Sequence, residues 1–378
     1  MRFSAGPAED VEDLLGDFAS RLEGRLERRA LPPGPLGQRV RLVFARAALG
    51  ADELALLAHD AEIAPASDAL LCLSIAPASL AELALRSPAA RCLAAAVRAA
   101  TAPPGPARLM GIVNVTPDSF SDGGVWLDDR LDGARAIEQG LRLIEEGAEL
   151  IDVGGESTRP GAEPIPAELE LARVLPVIRA LAQDGRAVLS IDTTKSEVAR
   201  AALDAGATVV NDVSAGLGDA RLLPLVAERR AGLILMHMQG TPRTMQAQPR
   251  YDDVVREVVC ALRARARAAW RAGVEPARIA LDPGLGFGKH LEHNLELMRA
   301  LPELRSLGFP LCVGLSRKGF LGRLSGESEP ARRASETSAG VALAAFLGAE
   351  IHRVHEVAPA RAALRVALAL ARPAPTAS

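Results

Sequence analysis

Asn114, Asp152, Asp192, Asn211, His237, Asp282, Ser316 with nearby Lys318, and Arg353 with His355 have one thing in common: each is a polar residue into which a short apolar run leads. Gathered in one place, such carboxylates, amides and cations could grip a flat ring at one end and an anion at the other. Asp192, Asn211 and Asp282 supply acceptors and an amide, which would satisfy a nitrogen-rich 2-amino-4-oxo heterocycle. The competing use for buried carboxylates of this kind is pairing with lysines for stability. Within IHRVH, strand alternation sets Arg353 and His355 on one face and His352 and Val354 on the other. A guanidinium beside an imidazole suits a phosphate-like anion, unless that arginine is instead paired with a carboxylate of the fold.

Two further segments carry polar and glycine-rich sequence too long for ordinary connections, VTPDSFSDGG at 115–124 and GESTRPGA at 155–162. Their Gly, Ser, Asp and Pro content supports turns and exposed backbone donors. They read as active-site loops that close over a ligand, with passive surface loops as the other reading.

The elements that must position these residues alternate short apolar runs with longer amphipathic stretches, the pattern of repeated βα units around a parallel sheet. Eight strands are expected: LMGIVN (109–114), LIDVGG (150–155), VLSID (188–192), TVVND (208–212), LILMHM (233–238), IALDPG (279–284), LCVGLS (311–316) and IHRVH (351–355). Closure into a (β/α)₈ barrel would bring every strand end to one rim, where active sites of that fold lie. A doubly wound open sheet is the alternative geometry. GLGFG at 284–288 is not a dinucleotide fingerprint, because the acidic residue that the fingerprint requires about 20 positions on does not follow. Thr194, three residues before Glu197, predicts a capping box at the start of the third helix.

The 378 residues fit one barrel of about 250 with an attachment of about 100. Pro103, Pro104, Gly105 and Pro106 mark a linker, which places an N-terminal segment at 1–104, the barrel at 105–370 and a fraying tail at 371–378. The N-terminal segment is expected to be α/β or mostly helical, with helical periodicity over 10–29, a loop over 31–38 and a short strand over 39–45. His59 beside Asp60 reads as surface polarity. With a net charge of -3, the chain has no global attraction to nucleic acid or an anionic membrane. No apolar run reaches membrane-spanning length and no signal peptide is evident, so a cytoplasmic protein is expected. Cys72, Cys92, Cys260 and Cys312 lack the CxxC spacing of a zinc or redox site and are expected to be buried thiols.

GIVNVTPDSFSDGG (111–124), IDVGGESTRPGA (151–162), IDTTK (191–195), NDVSAG (211–216), LMHMQGTPRTMQ (235–246), LDPGLGFGK (281–289), GLSRKGFLG (314–322) and RVH (353–355) resemble the signatures of the dihydropteroate synthases, in family order. The resemblance runs from about 109 to 370. It implies condensation of 6-hydroxymethyl-7,8-dihydropterin pyrophosphate with para-aminobenzoate, giving 7,8-dihydropteroate and pyrophosphate in folate biosynthesis, on a homodimer sensitive to sulfonamides.

By that resemblance Asp192, Asn211, Asp282 and Lys318 hold the pterin, Asp152 supports the site and Phe287 lines it. Arg353 and His355 take the pyrophosphate together with Mg²⁺ ligated by Asn114; Mg²⁺ keeps waters and phosphate oxygens and needs no carboxylate cage. Departure of pyrophosphate leaves a cation-like methylene, which Asp118 helps to stabilise, while Phe120, Thr158, Pro160, Ser316 and Lys318 shape the para-aminobenzoate pocket.

The chain departs from the family in three places. Glu356 follows RVH where the family has Asp, and is expected to point away from Arg353 and His355 with little effect. His352 replaces an apolar residue and is expected among the outer helices, and residues 1–104 form an atypical extension. Two other readings fit a pterin-binding barrel: a pterin-dependent methyltransferase, which would not need the two loops, and a non-catalytic pterin-binding paralogue.

Overall fold

The structure is a computed structural model that describes residues 1, 3, 25–27, 40–45, 51–58, 61–65, 70–75, 80, 83–84, 90–95, 106–116, 129–159 and 161–371. In the N-terminal part β1 (Arg25–Glu27), β2 (Val40–Ala45), α1 (Ala51–Ala58), β3 (Ala61–Pro65) and β4 (Leu70–Ile75) follow in order. The strands form an antiparallel sheet in the order β1-β2-β4-β3, so of the two expectations for this segment, α/β describes what is seen. β2 falls where a short strand is predicted. β1 is a strand where helical periodicity predicts the end of a helix, because pairing with β2 overrides a local pattern. The rest of 10–29, the loop 31–38, His59 and Asp60, the linker residues 103–105 and the tail beyond Ala371 lie outside the described residues.

From Arg108 strand and helix alternate: β5 (Arg108–Asn114), α2 (Asp129–Glu146), β6 (Leu150–Gly154), α3 (Ala167–Asp184), β7 (Val188–Asp192), α4 (Ser196–Asp204), β8 (Val209–Asp212), α5 (Leu222–Glu228), β9 (Gly232–Met236) and α6 (Val254–Arg271). Then come β10 (Ile279–Asp282), α7 (Leu291–Arg299), α8 (Leu301–Leu304), β11 (Cys312–Gly314), α9 (Gly319–Ser325), α10 (Ala334–Phe346), β12 (Ile351–Val354) and α11 (Val357–Ala371). Every residue of β6, β8, β9 and β10 is buried, as continuous Val, Ile and Leu runs require when helices cover a parallel sheet. The strands pair in the order β10-β9-β8-β7-β6-β5-β12-β11, and a parallel bridge between Leu281 and Leu311 joins the ends. The sheet is a closed (β/α)₈ barrel, which excludes the open doubly wound alternative.

Local chemistry sets several helix boundaries. Asp253 caps α6 by accepting from Arg256 N, and α3 stops at Gly185 with φ 70°, a left-handed conformation that glycine adopts without strain. The predicted capping box does not form. Lys195 is the N-cap of α4 and makes no side-chain cap bond; the Asp219 carboxylate accepts from Ser196 N instead, at 3.0 Å.

The barrel interior is layered. Met110, Leu150, Val209, Ile234, Ala280, Cys312 and Ile351 make an apolar floor into which Phe3 inserts. Phe3 N donates to Ala277 O at 2.5 Å, and Arg278 Nη1 donates to Met1 O at 3.3 Å. The first residues therefore pack as part of the barrel, ahead of the N-terminal sheet. Above the floor, Asp152 and Ser190 are register partners, and at the upper rim Asn114, Gly154, Asp192 and Asn211 lie side by side on β5 to β8. None of the described helices is long and apolar enough to cross a membrane.

Candidate active site

The upper rim opens into a cavity of about 770 Å³. Asn114, Thr158, Asp192, Asn211, Asp282, Phe287, Ser316, Lys318, Arg353 and His355 all line it. Asp152 is fully buried just beneath, and donates no surface of its own. Strand register explains the convergence: Asp192 and Asn211 are direct partners in neighbouring parallel strands, so their side chains emerge on the same inward face. Asp118, Phe120 and Pro160 lie outside the described residues.

Arg353 rises from β12 into the polar layer and is held by two carboxylates. Its Nε donates to Asp152 Oδ2 at 2.6 Å and its Nη2 to Asp192 Oδ2 at 2.8 Å. Asn211 Nδ2 donates to the same Asp152 oxygen at 2.9 Å, while Asp152 Oδ1 has no hydrogen-bond partner. Despite burial, Asp152 and Asp192 hold the guanidinium above its ordinary range, so it stays charged. Of the two uses left open for this arginine, carboxylate pairing is the one seen here. Burial raises the Asp192 carboxyl to about 7; Arg353 opposes the rise, and Asp152, Glu170 and Asp212 add to it.

On the opposite side Asp282, Phe287 and Lys318 share one corner. Asp282 Oδ1 accepts from Gly284 N at 2.7 Å, and Lys318 Nζ sits 4.0 Å above the Phe287 ring centroid, a cation–π contact. Burial raises the Asp282 carboxyl and lowers the Lys318 ammonium to about 8. The glycine-rich turn beneath crosses the end of β9 so closely that a Cβ on Gly284, whose φ is 66°, would come 1.9 Å from His237 O. Lys289 bonds this crossing together, donating to Gly284 O at 3.0 Å and Phe287 O at 2.9 Å and standing 3.1 Å from His237 Nδ1. Burial, with Lys318 nearby, lowers Lys289 to about 7, and burial with Lys289 keeps His237 neutral, at about 3. The sequence reading passed over Lys289, since a lysine after a glycine turn carries no local sign of burial.

Ser316 Oγ lies 2.9 Å from His355 Nδ1 and accepts from His355 N at 3.1 Å. Burial and the surrounding cations, Arg317 first, lower His355 to about 3, so it faces the cavity as a neutral imidazole. Arg317 was also missed. It lines the cavity in a left-handed conformation, φ 58°, and both its Nε, at 3.0 Å, and its Nη2 donate to Glu356 Oε1. Glu356 therefore acts on the rim through Arg317, a contact that alternation along β12 alone does not reveal. His352 packs outward with no exposed surface, its Nε2 3.2 Å from Ala349 O, where the sequence places it.

A Cβ on Gly154 would stand 3.6 Å from Asp192 Oδ2 and 3.7 Å from Asn114 Oδ1, so the missing side chain leaves an open point beside both oxygens. Among the described residues no group of three His, Cys, Asp or Glu could hold a metal ion. A cation here would take few protein ligands and complete its shell with water or ligand oxygens.

The model of the family described as "Pterin binding enzyme" matches residues 110–355. A dihydropteroate synthase of Synechocystis sp. is 46% identical over 266 residues, covering 70% of this chain and 90% of that protein. The structure of Xanthomonas albilineans dihydropteroate synthase with 4-aminobenzoic acid is 48% identical, has a TM-score of 0.65, and covers 70% of this chain and 93% of that one. The same species' enzyme in complex with 7,8-dihydropteroate is 46% identical with a TM-score of 0.63, over 70% of this chain and 94% of that one.

Proposed function

The chain belongs to the pterin-binding enzyme family, among its dihydropteroate synthases, and we propose from that premise how its own side chains divide the work. It is a transferase that joins 6-hydroxymethyl-7,8-dihydropterin pyrophosphate to para-aminobenzoate, releasing pyrophosphate and forming 7,8-dihydropteroate. The observation that carries the reading is the convergence of Asp192, Asn211, Asp282 and Lys318 on one cavity beside Phe287. Asp192 and Asp282 accept from the amino and ring N–H groups of the pterin, Asn211 and Lys318 donate to its acceptors, and Phe287 supplies an apolar face. These bonds orient the exocyclic methylene before any bond breaks, which is where positioning lowers the barrier.

The reaction breaks the bond from methylene carbon to pyrophosphate oxygen and forms one from the same carbon to the aniline nitrogen, which loses a proton. No nucleophilic side chain is needed. The leaving group is met by the His355 imidazole and by Arg353, whose Nη1 is the nitrogen left out of its two carboxylate pairs. Asp118 and Phe120 of the first loop, and Thr158 and Pro160 of the second, serve the cation and the aminobenzoate together with Ser316. Asn114 would hold a Mg²⁺, which fits the open point beside Gly154 and, when bound, neutralises charge on the departing pyrophosphate.

The active unit is proposed to be a homodimer in the cytoplasm. Of the large apolar residues exposed among the described ones, Leu343 and Phe346 fall on α10 and Val366 and Leu370 on α11, two helices packed together. An apolar face spread over two neighbouring helices fits a second copy of the same surface.

Purified protein incubated with the pterin pyrophosphate and Mg²⁺, with and without para-aminobenzoate, tests the assignment. Dihydropteroate and pyrophosphate should form together only when both substrates are present. Folded protein that binds the pterin and yields neither product would instead be a binding paralogue.

A further inference from the structure

Glu156 and Glu170 meet at a single ammonium outside the pterin corner. Lys195 Nζ lies 2.5 Å from Glu156 Oε2 and 2.6 Å from Glu170 Oε2. The three come from different places: Glu156 opens the loop after β6, Glu170 lies in the first turn of α3, and Lys195 is the N-cap of α4. Glu156 Oε2 also accepts from Ile165 N at 2.9 Å, so one carboxylate ties together both ends of the loop. Arg173 Nη1 donates to Gly155 O at 2.9 Å, which fixes the root of the loop to α3.

Glu170 is fully buried and its Oε1 has no hydrogen-bond partner. A packed apolar residue there would be at least as stabilising, because a half-satisfied buried carboxylate loses more hydration than one ion pair returns. Its presence is explained by placement: Lys195 can be held in one position only by charges on both sides. Burial works against the charged lysine, but the bonds from Glu156 and Glu170 outweigh it and raise its pKa.

We propose that Lys195 is a positioning residue for the second substrate: with Glu156 and Glu170 it latches the loop 155–165 and so fixes Ser157, Thr158 and Arg159, which line the cavity, against para-aminobenzoate. The proposal rests on the reading above that this loop serves the aminobenzoate. The pterin contacts Asp192, Asn211 and Asp282 sit on strand ends and make their hydrogen bonds to Arg353, Asp152 and Gly284, not to the latch.

Lys195→Met and Lys195→Arg in the full chain test this in two ways. Hydrogen–deuterium exchange over residues 155–166 needs no substrate; it should quicken by about tenfold or more in the Met variant, which loses the charge-assisted hydrogen bonds to both Glu156 and Glu170, and return toward wild type in the Arg variant. In turnover the KM for para-aminobenzoate should rise by about tenfold in the Met variant, while the KM for the pterin pyrophosphate stays within about twofold. Unchanged exchange in Lys195→Met, or both KM values rising together, would overturn the latch. Should that variant fail to fold, Glu170→Gln keeps the volume, weakens one arm and gives the same comparison. A wild-type protein with no turnover would sink the aminobenzoate assignment, and exchange would still decide the latch.

Discussion

Arg353 reaches across the barrel to Asp152, Nε to Oδ2 at 2.6 Å, and so ties the last strand to the second beneath the substrate cavity. The same guanidinium holds Asp192, so one cation neutralises two buried carboxylates that belong to different strands. Arginine can do this because its donors lie in a fixed planar fork, which a lysine lacks.

Arg353→Ala should therefore cost stability as well as substrate affinity. It leaves Asp152 and Asp192 unpaired in a buried layer, a change worth about 3–5 kcal/mol of unfolding free energy. Denaturant titration measures the first effect and pterin pyrophosphate titration the second. Weakened binding with an unaltered unfolding midpoint would assign Arg353 to the leaving group alone.

The pH dependence follows from the two sides of the pterin corner. Asp192 is raised to about 7 and Lys318 lowered to about 8, so both carry charge together only between these values. Below that window Asp192 is protonated and loses an acceptor; above it Lys318 loses a donor proton. The kcat/KM for the pterin pyrophosphate should rise through about pH 7 and fall beyond about pH 8, and Lys318→Arg should remove the alkaline limb. If that limb persists in the variant, another group is responsible for it.

Lys289 contributes to stability with a definite sign. Its pKa is about 7 in the fold against 10.5 as its ordinary value, so the unfolded chain binds more protons between these limits. The destabilisation is complete below about pH 7 and is relieved as pH rises toward 10.5, so stability increases with pH across that window. Urea midpoints measured across it should climb more steeply in the wild type than in Lys289→Met.

The strand ends were legible in the sequence because an apolar run closed by a polar residue has one meaning in a parallel barrel: buried along its length and open at the rim. Ten of the proposed site residues reach the cavity for that reason or through the loops that follow. The partners were not legible. Arg353 finds Asp152 and Asp192 at sequence separations of 201 and 161, and which charges cross a barrel depends on its closed radius. Arg317 stayed hidden for a different reason, since a positive φ at a residue with a Cβ is imposed by its surroundings, here Thr337 Oγ1 accepting from Arg317 N and Arg333 donating to Arg317 O. The predicted capping box failed because Asp219, from another loop, reaches the helix start first.

Phe346→Glu in α10, or Val366→Glu in α11, should split the proposed homodimer. Both side chains are more than half exposed, so neither change disturbs the barrel, and a charge facing its own symmetry mate is repelled. Light scattering should fall from dimer to monomer mass with little change in melting temperature. A wild-type monomer would remove the basis of the proposal.

Asn114→Ala should raise the Mg²⁺ concentration needed for half-maximal turnover while leaving affinity for a pterin without its pyrophosphate nearly unaltered. The Asn114 oxygen lines the cavity 3.7 Å from where a Cβ on Gly154 would stand, so its loss removes an oxygen from the proposed Mg²⁺ position. Equal losses in both measurements would show that Asn114 serves the ring instead.

Phe3→Ala should destabilise the barrel although residue 3 precedes the whole N-terminal sheet. Phe3 is 5% exposed and packs on Met110, Leu150 and Ile234 at the floor, within 3.3 Å of where a Cβ on Gly232 would stand. Truncation leaves a cavity that these strands cannot collapse to fill, a loss of about 3–5 kcal/mol. Because the floor lies at the far end of the strands from the substrate cavity, KM values should hold while the unfolding midpoint drops. A midpoint equal to wild type would show that Phe3 merely rests on the barrel.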